Sequence, residues 1–129
     1  MSASEFEELV AIMARLRAPD GCPWDREQTM ADLARYIREE ADEVVQAIEG
    51  GDAADIREEL GDLLFNILHA ARIAEEQGAF DIRAVLTGAR DKIVRRHPHV
   101  FGDAEASTTE EVLAHWNRVK AEEKKARGS

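Results

Sequence analysis

The sequence predicts an all-α fold, and three observations carry that reading. Apolar residues recur at helical spacing, no alternating run of β-branched residues occurs, and proline and glycine signals separate the periodic segments. Each element then follows in order. Glu5 to Leu16 has the period of a first helix, and Ala18-Pro19-Asp20-Gly21 ends it with a turn that Cys22-Pro23-Trp24-Asp25 continues as loop. A second helix runs from about Thr29 to Glu49 and stops at Gly50-Gly51. Asp52 offers an N-cap to a third that reaches roughly Gln77, with Gly78 as its stop. Asp81 can cap a fourth, which ends before His97-Pro98 because the residue preceding proline disfavours the helical region. Thr108 or Thr109, followed by Glu110-Glu111, opens a fifth that runs into Lys124-Lys125-Ala126-Arg127, a charged end expected to be solvated. The 129 residues suit a single domain, 1–129.

Charge narrows the function classes. Seventeen basic residues stand against 27 acidic ones, a net charge of −10, while 44% apolar content is enough for a core. Such a chain is a poor non-specific nucleic-acid binder, because neutralising phosphates takes clustered Lys and Arg. It is also repelled by anionic membrane surfaces, and no apolar run is long enough to span a bilayer. The N-terminus lacks the basic start and apolar stretch of a secretory leader, so the expectation is a cytoplasmic protein without nucleic-acid or membrane partners. Cys22, the lone cysteine, excludes an intramolecular disulfide and a Cys-based zinc site. An acidic protein still handles polyphosphates when divalent cations lie between the two negative partners.

Two acidic clusters stand out, Glu39-Glu40-x-x-Glu43 on the second helix and Glu59-x-x-Asp62 on the third. At about 100° per residue, Leu33, Ile37, Val44 and Ile48 share one apolar stripe of the second helix. Glu40 falls in the middle of that stripe, Glu43 on its edge and Glu39 one step further out. On the third helix Ile56, Leu60, Leu63, Ile67 and Ala74 define a core stripe, flanked by a polar strip of Glu59, Asp62 and Asn66. A carboxylate on a core-facing stripe costs several kcal/mol unless it is paired or metal-bound. Oxygen-only ligands without Cys or His point to Mg²⁺, with Mn²⁺ as the alternative. Salt bridges on a wet surface explain any one of these acids, but explain the whole set poorly.

The fourth helix supplies the opposite charge. Ile82, Leu86, Ala89 and Ile93 form its expected core stripe, flanked by Lys92, Arg95 and Arg96. That basic cluster complements a helix C-terminus and, beside carboxylate-bound metal, suits phosphate oxygens. Trp24 and Trp116 offer π-faces for a nucleobase, with core packing as the competing use. His97 and His99 are read as helix-ending, loop-shaping residues, and Met13 and Met30 as core filler. On the third helix Leu64, Phe65 and Leu68 lie away from the core stripe, which predicts a homodimer or higher homo-oligomer that buries them.

These segments resemble the MazG nucleoside triphosphate pyrophosphohydrolases. The resemblance rests on Gly21-Cys22-Pro23-Trp24-Asp25-x-Glu27-Gln28-Thr29, Glu39-Glu40-x-x-Glu43, Glu59-Leu60-Gly61-Asp62-Leu63-Leu64-Phe65 and Arg95-Arg96-His97-Pro98-His99-Val100-Phe101, and it runs from about Leu9 to Lys120. It implies a helical, dimeric assembly with Glu39, Glu40, Glu43, Glu59 and Asp62 as the Mg²⁺ site. It also implies triphosphate contacts from Lys92 and Arg96, with Arg95 beside them, and a nucleotide-binding element of Trp116 and Lys120. Better-known members carry two such domains in tandem, whereas this chain has one copy. Arg57-Glu58-Glu59-Leu60-Gly61 looks superficially like a Nudix box, but the glycine and glutamate that box needs upstream are missing.

The expected activity is conversion of a nucleoside triphosphate and water to the monophosphate and pyrophosphate. A metal-activated water attacks the α-phosphorus, and Glu39 or Glu40 takes its proton. The alternatives are a narrower dNTP or phosphoribosyl-ATP pyrophosphohydrolase, and a non-catalytic acidic module that binds a partner helix. A di-iron bundle is excluded because Asn66, not Glu, precedes His69 by three residues.

Overall fold

Seven helices build residues 4–128, the part of the chain that the computed structural model describes; Met1–Ala3, which bear on the leader question, lie outside it. They are α1 (Ser4–Leu16), α2 (Pro23–Glu27), α3 (Met30–Gly50), α4 (Ala53–Glu76), α5 (Ile82–Arg95), α6 (Pro98–Phe101) and α7 (Thr109–Ala126). Among the described residues no strand occurs, as the sequence predicts. The five long helices match the five expected ones. The two short ones, α2 and α6, fall where the sequence reads as loop; each starts on a proline, whose fixed φ suits the first helical turn.

Local chemistry explains the helix ends. Thr29 and Asp32 form a capping box, with Thr29 Oγ1 accepting from Asp32 N–H at 3.2 Å and Asp32 Oδ2 accepting from Thr29 N–H at 2.9 Å. Asp52 caps α4 through Ala54 N–H at 2.8 Å, and Thr108 caps α7 through Glu111 N–H at 3.2 Å. Between α3 and α4, Gly51 takes the left-handed φ of 79° and returns its N–H to Ala47 and Ile48 carbonyls.

The chain forms two compact units, one ending at Ile82 and one beginning at Arg83. In the first, α3 and α4 pair as an antiparallel hairpin, and α1 packs on α4. Its buried apolar residues are Met13 from α1, Leu33 and Val44 from α3, and Leu68, Ala71, Ile73 and Ala74 from α4. This corrects the expected stripe. Leu60 and Ile67 are 49% and 39% exposed, whereas Leu68, expected on the outward face, is only 3% exposed. The physical reason is that periodicity tells which residues share a face but not which face is covered: with α3 and α1 packed on α4, Leu68 is buried and the Leu60–Leu64–Ile67 stripe stays open. Ile48 and Met30 are likewise exposed.

In the second unit α6 packs on α7, which buries Val119. The expected core stripe of α5 is corrected too: α5 buries no residue, and Leu86 and Ile93 are exposed. The charged C-terminal stretch is helical as far as Ala126 and exposed over most of its length. No described helix is long and apolar enough to cross a membrane.

Candidate active site

Antiparallel pairing of α3 and α4 sets Glu40 and Glu43, one turn apart, opposite Glu59. Carboxylate oxygens of the three lie within 4.8 Å of one another. Glu43 is exposed, Glu40 and Glu59 are half-buried, and Glu40 Oε2 is buried without a hydrogen-bond partner. Among the described residues no Arg, Lys or His forms an ion pair with these acids. Burial, followed by the neighbouring Glu59 and Glu43 carboxylates, pushes the Glu40 carboxyl up to about 8. An apolar-stripe position and unpaired like charges thus combine in one residue, the arrangement a cation relieves. Glu39 and Asp62 are exposed and stand outside this gathered trio.

Tyr36 lies one turn before Glu40 on α3, and its carbonyl is 3.5 Å from Asn66 Nδ2 on α4. Trp24, on α2, is 54% exposed and rests against Tyr36, with ring centroids 5.6 Å apart and planes tilted by 37°. Arg35 covers Tyr36 at 4.9 Å and donates to its hydroxyl. The sequence singles out Trp24 as a candidate but not Tyr36, on which its ring rests. The only signal for Tyr36 is an aromatic residue four positions before Glu40.

The second unit holds the remaining candidates. Lys92 and Lys120 are exposed, and no acidic residue among those described pairs with either. Arg96 is buried; it lies 5.0 Å from the Trp116 ring and donates to Glu123. Arg95 Nε donates to the other Glu123 oxygen. The two guanidinium groups hold the Glu123 carboxyl down at about 2. Glu123 is invisible in sequence, one acid in a charged tail. A cleft of about 520 Å³ is lined by Ala84, Val85, Gly88, Lys92, Arg96 and Trp116. His97 turns its edge to Trp116 at 5.3 Å, and its Nδ1 donates to the Ile93 carbonyl at 2.7 Å, ending α5 as expected.

The fold is therefore an all-helical one with an unpaired acidic trio across a helical hairpin. The MazG nucleotide pyrophosphohydrolase domain matches residues 28–101, and the chain belongs to that family. It is 48% identical over 122 residues to a nucleoside triphosphate pyrophosphohydrolase of Escherichia coli K12, covering 94% of this chain and 46% of that protein. It is 45% identical over 119 residues to the nucleoside triphosphate pyrophosphohydrolase/pyrophosphatase MazG of Thermotoga maritima, covering 92% and 45%. The chain thus spans about half the length of these curated relatives. The crystal structure of a mazG-related protein from Thermotoga maritima superposes with a TM-score of 0.76 at 28% identity, covering 89% of this chain and 98% of that one.

Proposed function

We propose that this chain hydrolyses nucleoside triphosphates to the monophosphate and pyrophosphate. The observation that carries the reading is the unpaired trio of Glu40, Glu43 and Glu59 in a chain of the MazG family. The names of the relatives supply the reaction class.

The donor set fits a hard divalent cation: every ligand atom is a carboxylate oxygen, and Glu40 Oε2 is a buried acceptor without a donor. Glu40, Glu43 and Glu59 would hold Mg²⁺, or Mn²⁺ in its place, and the resemblance adds Glu39 and Asp62. When bound, such an ion neutralises phosphate charge and acidifies water for attack on the α-phosphorus. The water proton would fall to Glu39, which the resemblance counts among the ligands but which lies outside the gathered trio and so is the carboxylate least committed to the ion. Trp24 offers a stacking face for the base, with Asn66 on the neighbouring polar strip. In the C-terminal unit Lys92 and Lys120 contact phosphate oxygens as point charges. Arg95 and Arg96 exchange Glu123 for phosphate, and Trp116 backs the nucleotide. The active form is a homodimer or higher homo-oligomer.

A pyrophosphate-release screen over the common NTPs and dNTPs tests the reaction. Turnover is expected with Mg²⁺ and none with EDTA, and ¹⁸O from water should appear in the monophosphate. Chelator-indifferent turnover, or orthophosphate as the product, would overturn the reading. Glu39→Gln should keep the cation-induced rise in melting temperature and lose about 10²–10⁴-fold in kcat.

A further inference from the structure

The first unit contains a buried polar network that the proposed reaction does not use. Arg17, at the end of α1, has a side chain only 8% exposed. Its Nη1 donates to the Asp25 carbonyl at 2.6 Å and the Gln28 carbonyl at 3.0 Å, while Nε and Nη2 bind Glu76 at 3.0 and 2.6 Å. His69, buried on α4, reaches the same Asp25 carbonyl through Nε2 at 3.2 Å. A carbonyl only accepts, so Nε2 carries the hydrogen. Buried Gln28 donates its Nε2 to the Trp24 carbonyl at 2.8 Å.

All of these bonds except those to Glu76 end on α2 or the residue after it. A five-residue helix cannot satisfy its own last carbonyls and is too short to hold itself. Here the carbonyls of Trp24, Asp25 and Gln28 are each taken by a buried side chain. Burying a guanidinium costs several kcal/mol unless its hydrogen bonds are complete, and a tryptophan packed inward would anchor the segment at no such cost. The opposite arrangement is found: buried polar groups hold the backbone while the Trp24 ring stays outside against Tyr36. Tyr36 in turn lies one turn from Glu40.

We propose that Arg17 and His69 are positioning residues that fix α2 so that the Trp24 face is pre-oriented for the substrate base. The proposal rests on the nucleotide-hydrolase reading and names the groups that set its KM. They touch α2 but neither the carboxylate trio nor, in this proposal, the substrate, so they act through Trp24 alone.

The test is steady-state kinetics on the full chain, with hydrogen exchange of the 22–28 amides and cation-induced thermal shifts measured on the same samples. Arg17→Lys keeps the charge but loses the fork that spans two carbonyls and Glu76. It is expected to raise KM about tenfold, to change kcat less than threefold and to speed exchange across 22–28. The Mg²⁺-induced shift in melting temperature should match the wild type. His69→Gln, which retains a donor, should keep a KM within threefold of the wild type, whereas His69→Leu should not. If Arg17→Lys and His69→Leu both keep the wild-type KM, or if either lowers kcat as much as it raises KM, the positioning role is overturned. Absence of turnover in the wild type would instead overturn the hydrolase reading, and the exchange data would still report whether these residues fix α2.

Discussion

Glu123 and Arg96 form a two-point contact, Oε1 to Nη2 at 2.9 Å and to Nε at 3.3 Å, with the guanidinium also facing Trp116. Both partners are largely shielded, and Arg95 completes the cluster on Oε2. The pair ties α7 to the end of α5, a helix that buries no residue of its own.

Acid stability follows from this cluster. The Glu123 carboxyl is depressed from its usual 4.5 to about 2, so its contribution is complete above about 4.5 and is lost as pH falls through about 2. Far-UV circular dichroism across that window should show helix loss in the wild type. Glu123→Gln should lower the melting temperature at neutral pH and flatten the acid limb between pH 4.5 and 2. An unchanged acid limb would mean that the carboxylate does not stabilise the second unit.

Glu40 carries the opposite sign. Its folded pKa, about 8, is above the ordinary 4.5, so the native chain holds a proton that the unfolded chain releases. Without a divalent ion, stability is therefore present below about 4.5 and is lost as pH rises through about 8. Glu40→Gln should remove that slope and raise stability at pH 8 by on the order of 1–3 kcal/mol. Binding of Mg²⁺ to the wild type should release a proton and tighten as pH rises towards 8. Calorimetry in two buffers of different ionisation enthalpy measures the proton count. No proton release near pH 7 would remove Glu40 from the cation site.

Sequence periodicity is enough for the five long helices, because caps such as Thr29, Asp52 and Thr108 act locally and leave their signature in adjacent residues. It is enough for Glu40 as well, since a charge inside an apolar stripe is a conflict visible without coordinates. It fails for Leu60, Ile67 and Leu68. Period tells which residues share a face, and only tertiary placement of α1 tells which face is covered. Arg17, His69 and Glu123 are hidden for a related reason. Their partners lie 8 to 59 positions away, and nothing in a single sequence marks such a pairing.

Two glycine-to-alanine substitutions should move stability in opposite directions. A Cβ at Gly21 would stand 2.3 Å from the Leu16 carbonyl oxygen and 2.4 Å from that of Arg15, backbone atoms that cannot yield without shifting the turn into α2. Gly21→Ala should cost about 1–3 kcal/mol. Gly88 sits inside α5, and an alanine methyl there would meet nothing within 4 Å, so Gly88→Ala should stabilise by roughly 0.5–1 kcal/mol. Chemical denaturation of both variants checks the pair. As a reference, Leu33→Ala, at a fully buried site, should cost about 2–5 kcal/mol.

Assembly is the last expectation, and the structure moves its address. Leu68 is buried within the chain and Phe65 is half-buried, so neither leads the exposed face. The open apolar residues of the hairpin include Val45 and Ile48 on α3 and Leu60, Leu64 and Ile67 on α4. Leu60, Leu64 and Ile67 recur at i, i+4 and i+7, which puts them on one stripe of α4. Full burial of each such side chain is worth roughly 1.5–3 kcal/mol, and a soluble monomer seldom leaves so many together in water. A twofold partner laid against this face covers them and turns a two-helix hairpin into a four-helix core. Wild-type protein should therefore sediment as a dimer or larger at micromolar concentration, and Ile67→Asp should sediment as a folded monomer with its helical content retained. A monomeric wild type, or an Ile67→Asp variant that still dimerises, would place the interface elsewhere or remove it.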